Sequence, residues 1–112
     1  MSEHEDSHVD PLRKPVDKEA LRTAEVAFMT ITGMGCPNCA LRVRNALLSL
    51  EDVLQAHVHL VRGIAAVAYR PERLVGRDLL DAVSAAGNNG RHHYCAEIFQ
   101  VMPAREAFTF GA

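Results

Sequence analysis

Cys36 and Cys39, separated only by Pro37 and Asn38, are the residues of this 112-residue chain best suited to chemistry. The thiolate, not the thiol, is both the nucleophile and the soft-metal ligand, and a helix N-terminus favours it through unpaired N–H groups and the helix dipole. A strand-like run, Val26 to Ile31, precedes the pair, and Ala40 to Leu50 follows it with apolar residues at helical spacing. The spacing therefore puts Cys36 in a loop and Cys39 in the first helical turn. Pro37 fits this placement, because a first-turn residue has no intrahelical partner for its N–H. Gly33 and Gly35 are expected to give the loop backbone angles closed to other residues. Two thiols so placed can hold a soft metal ion or work as a dithiol redox centre.

Other candidates are weaker. Met34 has a thioether that suits Cu(I), but methionine is commonly a core filler and is read here as structural. His57 and His59 share one face of an alternating strand and are read as solvent-side residues. His4 and His8 lie in a polar, acidic stretch and are read as solvated.

The elements that must position the pair follow from periodicity. A first strand is expected over residues 25–31, with Met29 and Ile31 towards the core and Val26 and Phe28 on the opposite side. The helix after the pair carries Val43, Ala46, Leu47 and Leu50 on one stripe, with Cys39 above them. Residues 53–60 alternate as a second strand, with Ala56, Val58 and Leu60 on one face. A tight connection at 61–64, with Gly63 at positive φ, leads to a third strand whose Ala65, Val67 and Tyr69 point inward. A second helix spans 76–86 with Leu79, Leu80 and Val83 as its stripe and Gly87 at its C-terminal cap. The last strand, residues 94–101, turns Tyr94, Ala96 and Ile98 inward and Cys95 outward, and Pro103 ends it. The order β-α-β-β-α-β predicts an α+β, ferredoxin-like sandwich, an antiparallel sheet with two helices on one face. Residues 1–22 read as a disordered polar tail, 23–102 as the domain and 103–112 as a C-terminal tail.

Gly33-Met34-Gly35-Cys36-Pro37-Asn38-Cys39 resembles the Gly-Met-Thr/Ser-Cys-x-x-Cys loop of heavy-metal-associated domains, found in copper chaperones, metal-pumping ATPases and mercury-binding proteins. The resemblance extends over about residues 24–101 and includes the second and third strands with Pro71. Gly35 stands where the family usually has a hydroxyl residue, and residues 87–93 look like an insertion. The resemblance implies that Met34 packs beneath the loop and that the segment before the last strand passes the metal loop, with Tyr94 as its aromatic. The inserted His92 and His93 thereby become candidate auxiliary ligands beside Cys36 and Cys39. Cys95 points away from them.

Composition narrows the function. An apolar share of 48% is ample for one core, and a net charge of −2 leaves no basic footprint for nucleic acid. No stretch has the apolar length of a membrane span, and an acidic N-terminus is unlike a signal peptide, so a cytoplasmic protein is expected. Three cysteines, an odd number, read as reduced and metal-binding rather than as a disulfide framework.

Two functions are then in competition. One is a carrier that holds a soft ion, foremost Cu(I), with Zn(II), Cd(II) or Hg(II) as alternatives, and passes it to a metal-transporting ATPase or other acceptor. The other is a thiol-disulfide oxidoreductase. Thioredoxin-like domains continue strand-helix-strand after the active helix, whereas this chain supplies two strands joined by a tight turn and no proline placed for the cis role. The carrier is favoured, and no catalysis is expected. Two thiolates satisfy Cu(I), whereas a closed Zn(II) site wants four ligands. Finally, Val26, Phe28, Cys95 and Phe99 are expected to form an apolar patch on the open sheet face. Either a second copy, making a homodimer, or the C-terminal segment with Phe108 and Phe110 is expected to cover it.

Overall fold

β-branched and apolar residues in alternation build the strands, and the 3.6-residue stripes build the helices that cover them. The computed structural model describes residues 10–87 and 93–107. In chain order these form α1 (Lys18–Leu21), β1 (Glu25–Thr32), α2 (Pro37–Leu48), β2 (Val53–His59), β3 (Ile64–Tyr69), α3 (Gly76–Ala85), β4 (Cys95–Pro103) and α4 (Ala104–Ala107). The strands make one antiparallel sheet in the order β2-β3-β1-β4. The ferredoxin-like βαββαβ order is thus present, with a four-residue helix added at each end.

One face of the sheet carries the main core. Ala27, Met29 and Ile31 of β1 and Ala65, Val67 and Tyr69 of β3 pack beneath Cys39, Val43 and Leu47 of α2 and Leu79 and Val83 of α3. The β2–β3 hairpin closes through Gly63, whose φ of 64° lies in the left-handed region, as the tight connection requires. Gly87 does not serve as a left-handed cap. Ala86 caps α3 at φ −62°, and among the described residues only Gly33 and Gly63 have positive φ.

The opposite face is not open over its whole extent. Ala24, Val26, Leu54 and Ala68 are buried there beneath Ala104 and Ala107 of α4, with Ala20 and Leu21 of α1 alongside. A register shift between Val53 and Gln55 lets β2 send Val53 to the main core and Leu54 to this second cluster. A second shift, between Phe28 and Met29, leaves Phe99 and Gln100 together opposite Phe28. The chain itself supplies part of the cover that either a second copy or the C-terminal segment was expected to provide, while Phe99 stays exposed. Phe108 and Phe110 lie outside the described residues.

The N-terminal boundary also differs from expectation. Residues 10–22 lie against the domain rather than forming a free tail, because α2 ends with carbonyls that lack intrahelical partners. The Lys14 ammonium donates to the carbonyl oxygens of Leu48 at 3.0 Å and Leu50 at 2.9 Å. It also reaches those of Glu51 and Val53. A cation at a helix C-terminus is favoured by the dipole. Burial lowers the Lys14 pKa, opposed by the nearby Asp52 carboxylate. Further along, the Leu12 N–H donates to Asn45 Oδ1 at 2.8 Å, and Asn45 Nδ2 donates to the Asp10 carbonyl at 2.7 Å. His4 and His8 lie outside the described residues.

Candidate metal centre

The site begins where β1 ends. Gly33 has φ 98°, and a Cβ placed on it would stand 2.0 Å from the carbonyl oxygen of His93. The segment entering β4 therefore crosses directly over Gly33, and no side chain fits between them. Gly35 is different. Its φ is not positive, and a Cβ there would meet nothing within 4 Å, so the loop does not require glycine at this position. The hydroxyl residue usual in the resembled loop would be accommodated.

Cys36 is the N-cap of α2 in extended conformation, Pro37 occupies the first turn, and the Cys39 N–H donates to the Cys36 carbonyl at 2.9 Å. This turn brings the two sulfurs to 2.9 Å as free thiols. Cys39 is 1% exposed and belongs to the core cluster, whereas Cys36 is only partly buried. One thiol is thus fixed by packing and the other is open to an incoming group.

Electrostatics favour ionisation of the buried member. Burial pushes the Cys39 thiol up, but hydrogen bonds from the Cys36 thiol, the Tyr94 hydroxyl and the Gly35 and Cys36 backbone outweigh it, so Cys39 titrates below an ordinary cysteine. Tyr94 is 2% exposed, and its own pKa is pushed up to about 12 by burial and by its hydrogen bond to Cys39, opposed by Arg42. The phenol therefore stays protonated at neutral pH and serves the sulfur as a donor.

The remaining sequence candidates separate cleanly. Met34 packs against the core, in the structural role expected of it. Cys95 is exposed, opposite Thr32 on the β1–β4 ladder, and points away from the pair as expected. His57 and His59 are exposed on β2. His93 is exposed, and among the described residues no three His, Cys, Asp or Glu side chains are grouped to hold an ion. His92 lies outside the described residues. Arg42 is the residue that sequence reasoning missed. Its signal was the three-residue spacing from Cys39, which places it on the adjoining helical face.

Strand exit, helix-capping cysteine and buried second thiol on a βαββαβ frame define a class of small metal-binding domains. A profile of the heavy-metal-associated domain matches residues 28–89, more than half of the chain, and the protein belongs to that family. Among solved structures, the copper-binding domain of HMA7, a P-type ATPase, is 27% identical over 69% of this chain and 96% of its own, with a TM-score of 0.62. The N-terminal domain of a potential copper-translocating P-type ATPase from Bacillus subtilis, in its Cu(I)-loaded state, is 29% identical over 71% of this chain and 92% of its own, also at 0.62. MerP from Ralstonia metallidurans CH34 shares the fold, with a TM-score of 0.61 at 22% identity over 70% of this chain and 100% of its own. No curated protein sequence matches the chain. Among the described residues no helix is long and apolar enough to cross a membrane.

Proposed function

We propose that the protein carries Cu(I) between Cys36 and Cys39 and passes it by thiolate exchange to an acceptor, such as a metal-transporting ATPase, in the cytoplasm. The observation that carries this reading is the asymmetry of the pair: sulfurs 2.9 Å apart, one buried and one partly exposed. Loading displaces protons from the thiols, and the donors around Cys39 ease that loss. During transfer an acceptor thiolate would enter on the Cys36 side. Cys36 then leaves the ion first, while Cys39 holds it until a second acceptor ligand arrives. No bond is oxidised or reduced in this exchange. Monovalent copper is favoured over Zn(II) because two thiolates satisfy it, and the described residues group no third ligand with them.

The test is a competition titration of the reduced protein with Cu(I) and with Zn(II) against chelators of known affinity, followed by mixing the Cu(I) form with an apo acceptor domain. One tightly held Cu(I), weak Zn(II) and movement of copper to the acceptor are expected. Sustained reduction of insulin disulfides with a regenerating reductant would instead establish the oxidoreductase reading.

A further inference from the structure

β2 and β3 meet in the turn Leu60-Val61-Arg62-Gly63, which the topology sets at the cysteine end of the sheet. The Ile31 N–H donates to the Gly63 carbonyl at 2.7 Å, and just beyond Ile31 the chain leaves β1 for the loop that carries Cys36. Val61 stands at the tip and is 96% exposed, more than any other large apolar residue described. Of the four residues only Gly63 has ordinary turn chemistry. Asn, Asp or Ser would serve the turn without showing an apolar side chain to water. Arg62 beside it is exposed, and among the described residues it makes no hydrogen bond or ion pair.

Charge divides the molecule along the same axis. The turns 33–36 and 60–63 hold no Asp or Glu. Glu97 is opposite Thr30 on β4, across β1 from the hairpin. Glu51, Asp52 and Glu72 belong to the other end, where β2 begins and β3 finishes. Although the whole chain carries −2, Arg62 therefore stands at the cysteine end with no carboxylate in either turn to offset it. Even a transient interface of about 500 Å² per partner is about 25 Å across, whereas adjacent strands are only about 4.8 Å apart. A partner seated over the cysteine loop thus also meets the hairpin tip next to it.

We infer that Val61 and Arg62 form a docking knob that selects transfer partners, taking an acceptor with carboxylates beside an apolar hollow at the rim of its own thiol site. The inference rests on the proposed carriage of Cu(I) by Cys36 and Cys39, and adds which acceptors are chosen. Val61 supplies the apolar contact, and Arg62 supplies the charge that sets the sign of the partner and speeds encounter. A second copy of the chain is a poor occupant, because a two-fold contact at this tip brings Arg62 against its own like charge.

The test offers the Cu(I)-loaded full chain two synthetic Cys-x-x-Cys peptides of equal length, one flanked by aspartates and the other by lysines, and follows copper transfer by stopped flow. The aspartate peptide should take copper roughly tenfold faster at low salt, a ratio that collapses in about 0.5 M salt. Arg62→Glu should invert the order, and Val61→Ser should slow both peptides about two- to threefold without changing their ratio. Both variants should fold and keep the parent's Cu(I) affinity, because neither side chain packs in the core. A faster lysine peptide in the parent, as the net charge of −2 alone would give, would overturn the knob. So would a ratio that Arg62→Glu leaves unchanged. A second reading needs no copper: the metal-free aspartate peptide, added to the apo protein, should shift the backbone amide resonances of residues 60–63 in the parent and not in Arg62→Glu. Shifts confined to other residues would count against the knob even if Cu(I) carriage holds, and shifts at 60–63 would support it even if carriage fails.

Discussion

Met29 and Val26 stand three residues apart on β1, on opposite faces of the sheet, and both are about as buried as residues can be, at 0% and 1% exposure. Above Met29 lie α2 and α3, of 12 and 10 residues, whose apolar stripes are plain in the sequence. Above Val26 lie α1 and α4, of four residues each. A helix of three turns announces its buried face by repeating it. A single turn does not repeat, so its packing is set by tertiary contacts that leave no periodic trace.

The contrast is open to direct attack. Met29→Ala removes a large side chain from a well-packed core and should cost about 3 kcal/mol, and Val26→Ala about 2 kcal/mol, both read as shifts in urea midpoint. If the short helices only rest on the sheet, Val26→Ala would cost well under 1 kcal/mol, and the two faces would differ in kind. Lys14→Gln should follow at about 1–2 kcal/mol, because it takes charged donors from the carbonyls that end α2. A null result there would return residues 10–17 to the status of a free tail.

Alkaline pH probes the boundary between core and site. Tyr94 has a folded pKa of about 12, above its ordinary value near 10, so the folded protein keeps a proton that the unfolded chain gives up. The stability this represents is fully present below about pH 10 and is lost as pH rises from about 10 through 12. Tyr94→Phe should remove about 1–2 kcal/mol of that alkaline loss, measured as the difference in unfolding free energy between pH 8 and pH 11. An identical pH profile in both proteins would mean that the hydroxyl is not held as described.

Much of this was legible in the residues themselves. Alternation identified which side of β1 Met29 and Ile31 face. The Cys-x-x-Cys entry to α2 located both thiols, and Gly63 marked its turn. Other features carried no local signal. Gly33 and Gly35 look alike in sequence, yet only Gly33 is obligatory, because the backbone of His93 crosses it from 60 residues away. The second cluster depends on a register shift that sends Leu54 to the far face, and alternation cannot announce its own interruption. Lys14 finds its carbonyls across more than 30 residues. Polar composition suggested solvent where the chain instead supplies a helix cap.

The claim on which the function rests is that Cys36 and Cys39 act as one soft-metal site on a fold that does not need their sulfurs equally. Cu(I) affinity of the reduced protein, measured by chelator competition for the parent, Cys36→Ser and Cys39→Ser, addresses it directly, with circular dichroism to confirm folding. The account predicts that each substitution weakens Cu(I) by roughly 100-fold or more. Cys36→Ser should keep its thermal stability, and the buried Cys39→Ser should lose some of it. Parent-like Cu(I) affinity in a folded Cys36→Ser protein would contradict the account.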